Sequence, residues 1–183
     1  MSRQTWQETL IVAEVDGTAL TNSTTPTSII PAAAKFTLPA NYFDVGRVLR
    51  FTLKGRASNL VTTPGTLTLE FRLGSVIAFT SGAIQLSATA HTNVSFIVDA
   101  MLTCRAIGAG TSANLMGTGQ LTSEVLGTTA NQAPTALLPV SAPAVGTGFD
   151  STAAQVVDVF ATFSIANAAN SIQVHQYVLE SMN

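Results

Sequence analysis

Apolar and polar side chains alternate at period two along most of this chain. That spacing admits strands with one buried face and little else. In residues 48–54, Leu49, Phe51 and Leu53 share one face, and Arg50, Thr52 and Lys54 take the other. In residues 66–73 the apolar set is Leu67, Leu69, Phe71 and Leu73. Ile84, Leu86 and Ala88 keep the same register, and a long run aligns Val94, Phe96, Val98, Ala100, Leu102 and Cys104. Near the C-terminal end, Val157, Val159, Ala161, Phe163 and Ile165 form one set, and Ile172, Val174, Gln176 and Val178 another. Residues 5–15 read as a first strand closed by Asp16-Gly17, and residues 115–125 as a Gly-rich strand.

Gly, Pro, Asn and Ser clusters punctuate these runs. Thr62-Thr63-Pro64-Gly65 is a turn and is expected to join its flanking strands as a hairpin. Asn167-Ala168-Ala169-Asn170 is expected to do the same for the last two strands. Residues 127–148 carry Pro134, Pro139 and Pro143 and read as a long loop or edge segment, because Pro cannot donate to a central ladder. Residues 18–34 are similarly rich in Thr and Pro. No helix is expected beyond one short turn at residues 150–155, and no fixed-period repeat is present. The expected fold is an all-β, single-domain antiparallel sandwich of about 8–10 strands, with long crossings that favour a jelly roll. Residues 1–34 are expected to form an N-terminal strand or extended arm, and residues 35–183 the sandwich.

Composition narrows the function. Only 10% of the 183 residues are Asp, Glu, Lys or Arg, against roughly one in four in an ordinary domain. Such a smooth surface suits repeated contact with neighbouring protein. The net charge is −2, so no global phosphate-neutralising surface and no direct nucleic-acid partner are expected. The single cysteine, Cys104, has no internal partner, which fits synthesis in a reducing compartment. No secretory signal is read at the start of the chain, no apolar run is long enough to span a bilayer, and no membrane partner is expected.

Reactive constellations are sparse. His91 lies in a Thr-Ala-His-Thr-Asn turn and His175 on the polar side of the last strand; both are read as solvent-facing or interface residues. No Cys or His partners stand at zinc-ligand spacing, and no Gly-x-Ser-x-Gly elbow occurs. Gly108-Ala109-Gly110-Thr111-Ser112 lacks the Gly-Lys-Ser/Thr ending of a phosphate loop and reads as a turn. Asp99 interrupts an apolar run beside Ile97 and Met101 and is read as facing solvent or a partner, paired with an Arg. No enzymatic activity, cofactor or metal is expected. Arg47, Arg50, Lys54 and Arg56 make four of the eight basic residues. Without interleaved aromatics for base stacking, they are expected to touch protein.

Several stretches are similar to a family of small, mostly uncharacterised tailed-bacteriophage virion proteins. They include Pro39-Ala40-Asn41-Tyr42-Phe43, Gly46-Arg47-Val48-Leu49-Arg50, Leu102-Thr103-Cys104-Arg105-Ala106-Ile107-Gly108 and Gly146-Thr147-Gly148-Phe149-Asp150-Ser151. The resemblance spans about residues 29–180 and implies a phage structural role, with no catalytic residue to carry over. Among virion roles the expectation is a capsid decoration (cement) protein, made in the host cytoplasm and lodged on the capsid surface. Its expected partners are the major capsid protein and its own copies, as a homotrimer. The expected contact residues are Trp6 as an apolar anchor, with Arg47, Arg50, Lys54 and Arg56. The alternative is a tail-associated fibre or receptor-binding jelly roll that takes a host-surface saccharide. An esterase or glycosidase, and a shell protein enclosing RNA, rank below both.

Overall fold

A computed structural model describes residues 6–182. Among these residues thirteen strands form two antiparallel sheets packed face to face. They are β1 (Gln7–Val12), β2 (Leu20–Thr21), β3 (Thr27–Ser28), β4 (Thr37–Leu38), β5 (Val48–Asn59), β6 (Thr66–Leu73) and β7 (Val76–Thr80). The chain continues with β8 (Ile84–Gln85), β9 (His91–Ala106), β10 (Asn114–Ser123), β11 (Thr135–Leu138), β12 (Gln155–Phe163) and β13 (Ser171–Met182). Nine of these have four residues or more, inside the expected range. The other four are two-residue pairings, too short to leave a period in the sequence. The only helical turns among the described residues are 3-10 turns at Ala32–Ala34 and Glu124–Leu126.

One sheet runs β1-β13-β5-β9-β10-β11, with β2 also on β13. The other runs β3-β12-β6-β7, with β4 on β12 and β8 on β6. The strand β5 pairs with β13 in the first sheet while β6 pairs with β12 in the second. Early strands thus pair with late ones in both layers, an arrangement that fits a jelly roll.

Two expected hairpins are corrected by this topology. The Thr62–Gly65 turn carries the chain from β5 in one sheet to β6 in the other, and residues 164–170 carry it from β12 back to β13. Each connection crosses the edge of the sandwich instead of closing a ladder. Consecutive strands pair antiparallel at β9–β10 across the Gly108–Ser112 loop, at β6–β7 across Gly74-Ser75, and at β10–β11 across a longer connection. Gly74 takes φ +59°, the left-handed conformation that a tight two-residue turn favours.

The inner faces are those the alternation marks. Leu49, Phe51, Leu53, Leu67, Leu69, Phe71, Val98, Leu102, Val157 and Val159 are all buried. Phe51 of one sheet meets Phe71 of the other edge-on at 5.0 Å, and Phe71 leans on Phe79 at 5.4 Å. Gly117 on β10 leaves room for that ring: a Cβ there would come within 2.3 Å of Phe79. The last strand departs from its expected alternation. The β5–β13 register shifts between Val174 and Gln176, a bulge at His175. Beyond it Tyr177, Leu179 and Ser181 point inward, and Gln176 and Val178 do not.

Residues 7–34 pack on this body. The strand β1 lies along β13, and Leu20, Ile29, Ile30 and Ala34 sit in the core. Met1–Thr5, at the start of the expected arm, lie outside the described residues.

Cys104 is fully buried on β9, and burial pushes its thiol pKa up. Cys104→Ala is expected to cost about 1–3 kcal/mol. A thiol reagent should label the native protein only as fast as it opens. Stoichiometric labelling within seconds under native conditions would place this strand in the wrong register.

Candidate contact face on the seven-stranded sheet

The outward alternation of β5, β9, β10 and β13 builds one broad face. Register aligns Glu180, Arg50, Met101 and Thr118 in one row across four strands, and Val178, Thr52, Asp99 and Gln120 in the next. Lys54 lies opposite Ile97 in a third row, and Arg56 opposite Ser95 in a fourth. Ile97 and Met101 are 46% and 39% exposed, so apolar side chains stand among the polar ones.

The charges on this face are largely settled within it. Arg50 grips Asp99 in a two-pronged contact, with Nη2 at 2.5 Å from Oδ2 and Nε at 3.2 Å from Oδ1. Its Nη1 lies 4.0 Å from Glu180 Oε2, and Gln7 Nε2 donates to Glu180 Oε1 at 2.5 Å. The hydrogen bond from Arg50 to Asp99 and the charge of that carboxylate raise the guanidinium pKa above its ordinary value. Asp99 therefore has the arginine partner its position called for. Arg56 donates to Gln173 Oε1 at 2.8 Å, and Lys54 is exposed. Beside Asp99 a shallow depression of about 310 Å³ is lined by Met101, Thr118, Gly119 and Gln120.

Of the five expected contact residues, Arg50, Lys54 and Arg56 share this face. Trp6 is 43% exposed at the start of β1, on the sheet margin. Arg47 belongs elsewhere. It donates to Tyr42 O at 2.6 Å, pairs with Asp44 at 3.1 Å and stacks over the Tyr42 ring at 4.6 Å. It precedes the first strand residue, so alternation has no hold on it, and it braces the loop that enters β5.

The opposite sheet also carries matched charge. Asp158 is 6% exposed and is held by Lys35 at 2.6 Å and Ser28 at 2.6 Å. Arg72 pairs with Glu70 and lies over the Phe160 ring at 3.9 Å.

The histidines divide. His175, at the bulge, meets Asp16 with Nδ1 2.9 Å from Oδ2. His91 is buried, which corrects the solvent-facing expectation: Nδ1 donates to Asn59 Oδ1 at 3.0 Å. The Asn59 side-chain nitrogen faces the carbonyls of Ser87 at 2.6 Å and Thr89 at 2.8 Å. Sequence reasoning missed this latch, because a polar residue ending a strand and one in a turn announce no mutual contact. Neither histidine hydrogen-bonds to a Ser or Thr hydroxyl among the described residues. Nor do the described residues gather three or more His, Cys, Asp or Glu as a metal cage.

No family model matches the chain, and no curated protein matches it. Among solved structures it is similar to the CBM2 module of Lactobacillus casei BL23 phage J-1 evolved Dit. The identity is 10% and the TM-score 0.33, over 99% of this chain and 98% of that one. A likeness at that level assigns neither ligand nor role.

Proposed function

We propose that this protein is a structural component of a tailed-bacteriophage virion, a decoration (cement) protein that sits on the capsid and bridges capsomers. The observation that carries the reading is the seven-stranded face. It is broad, its Arg50, Asp99 and Glu180 charges are already matched to one another, and Ile97 and Met101 stand exposed between them. Burying charges that are paired in advance costs less than stripping water from isolated ones. A lattice neighbour can cover that cluster without isolating Arg50 or Asp99, while Lys54 and Arg56 remain for the neighbour itself to pair with. A subunit that binds only the assembled shell stabilises it by mass action. The sequence resemblance to small phage virion proteins supports the same class.

Lys54 and Arg56, which make no ion pair among the described residues, are the cationic probes of this face. Arg50 is not, since reversing it would set a third carboxylate beside Asp99 and Glu180. Lys54→Glu with Arg56→Glu is expected to lower the number of copies retained on purified shells several-fold. Folding stability should stay within about 0.5 kcal/mol. Occupancy is read on quantitative gels of shells prepared without this protein and then resupplied with it. Unchanged occupancy would remove the face from the contact. Hundreds of copies per particle fit the capsid reading, and a handful would move the protein to the tail.

The depression beside Asp99 supports a second reading, in which Asp99, Thr118 and Gln120 hold a saccharide hydroxyl. Among the described residues no aromatic platform stands on that face, so the decoration reading is preferred.

A further inference from the structure

The long connection after β11 touches the β7 margin at two points. Val140 N donates to Ser81 O at 2.8 Å. Gly146 lies so close to β7 that a Cβ on it would come within 1.8 Å of the Ala78 carbonyl oxygen, which is why a glycine stands there. Three residue steps separate Ala78 from Ser81 on one side, and six separate Val140 from Gly146 on the other. The longer side has to bow outward. Residues 141–145, all exposed, therefore arch over a hollow of about 430 Å³.

The lining of this hollow is chemically specific. Glu70 on β6 stands opposite Thr80 on β7, and both side chains turn away from the core. The Glu70 side chain is 14% exposed, and Arg72 holds it through one oxygen only. Arg72 Nε and Nη2 both donate to Glu70 Oε2, Nε at 2.9 Å. Glu70 Oε1 accepts no hydrogen bond among the described residues. Thr80, Ser141 and Thr147 add hydroxyls to the lining, and Ile77 and Val145 add apolar surface.

We infer that the hollow binds a neutral sugar ring, whose hydroxyls donate to Glu70 Oε1. Charge balance selects this ligand. Arg72 already neutralises Glu70, so a cation gains little there, and the carboxylate repels an anion. A wholly apolar ligand would strip water from Oε1 without replacing its hydrogen bond. A sugar returns that bond and lays its C–H groups on Ile77 and Val145. The two anchor points close the hollow at both ends along β7, so an extended peptide has no path along the strand, whereas a compact ring fits. Glu70 is the only acid in the lining, and cleavage of a glycosidic bond takes a pair. The ring is held and not cut. The inference is independent of the proposed capsid role, because Glu70 lies on the opposite layer from Lys54 and Arg56.

Titration of the isotope-labelled full chain with glucose, galactose, rhamnose and N-acetylglucosamine, followed by amide chemical shifts, tests it. At least one of these sugars should give saturable shifts at Glu70 and over residues 77–80 and 139–147. Glucuronate and glucosamine, which carry charge, should bind more weakly than that sugar. Glu70→Gln should weaken binding about tenfold or more, the loss of a hydrogen bond to a charged acceptor. That substitution also loosens Arg72, so Ser141→Ala with Thr147→Val serves as a second variant. It removes two exposed hydroxyls and should weaken binding several-fold with an unchanged Tm. Lys54→Glu with Arg56→Glu should bind the sugar as the wild type does, whatever its occupancy on shells. No saturable shift with any of the four sugars, shifts centred on the Asp99 depression, tighter binding of a charged sugar, unchanged affinity in both hollow variants, or loss of sugar binding in the Lys54 and Arg56 variant would each overturn the inference.

Discussion

Phe71→Ala is expected to lower the unfolding free energy by about 3–5 kcal/mol, the range for emptying a buried aromatic site. Phe71 is 1% exposed and touches aromatic rings in both layers: Phe51 across the interface and Phe79 on its own sheet. Truncation removes apolar area and both ring contacts, and leaves a void between two hydrogen-bonded sheets that cannot collapse inward. The Tm should fall by roughly 10 °C for a chain of this size. Urea denaturation should show a lower midpoint with an unchanged slope. Phe71→Leu, which refills most of the space, should cost about 1–1.5 kcal/mol. A Phe71→Ala protein within 1 kcal/mol of wild type would mean that the two sheets do not meet at this ring.

Asn59→Leu should cost about 2–5 kcal/mol, although it adds apolar bulk at a buried site. Asn59 is 1% exposed at the end of β5. Its amide donates to the connection leading into β9, and its carbonyl accepts from His91. Leucine has the same branched skeleton and heavy-atom count, with more bulk, but no hydrogen-bonding group. It strands the carbonyls of Ser87 and Thr89 and the His91 N–H, and each unpaired buried group costs about 1–3 kcal/mol. Asn59→Asp keeps an acceptor for His91 but turns lone pairs toward those two carbonyls, so it should be no milder. Amide exchange over residues 87–91 should accelerate in both variants ahead of the rest of the molecule. Equal protection there in variant and wild type would show that the latch holds nothing.

Strand identity was legible wherever alternation ran for six residues or more. Leu49, Phe51 and Leu53, and likewise Leu67 through Leu73, face inward as their spacing requires. Alternation reports which side of a strand is buried but not which strand lies beside it. The Thr62–Gly65 turn is therefore compatible with a hairpin and with a crossing, and the crossing wins because it lets Phe51 of one layer meet Phe71 of the other across the core. One inserted residue at His175 reverses the facing of everything after it, and nothing in the local sequence marks the insertion. The strand β7 follows Leu73-Gly74-Ser75-Val76, which has the form of a two-residue hairpin, but its five residues carry too short a period to mark a strand. At the site, the common face of Arg50, Lys54 and Arg56 and an arginine for Asp99 followed from parity alone. Arg47, outside any strand, and His91, buried only through Asn59, depended on tertiary neighbours.

The late strand β13 lies between β1 and β5, and β12 flanks β6 in the other layer. Neither layer can therefore be closed by the first half of the polypeptide as it leaves the ribosome. Topologies dominated by such distant pairings fold in milliseconds to seconds, not microseconds. Until its final strands arrive, the nascent chain must hold the apolar stripes of β5, β6 and β9 unsheltered. That interval is the period of greatest exposure to mispairing with its siblings.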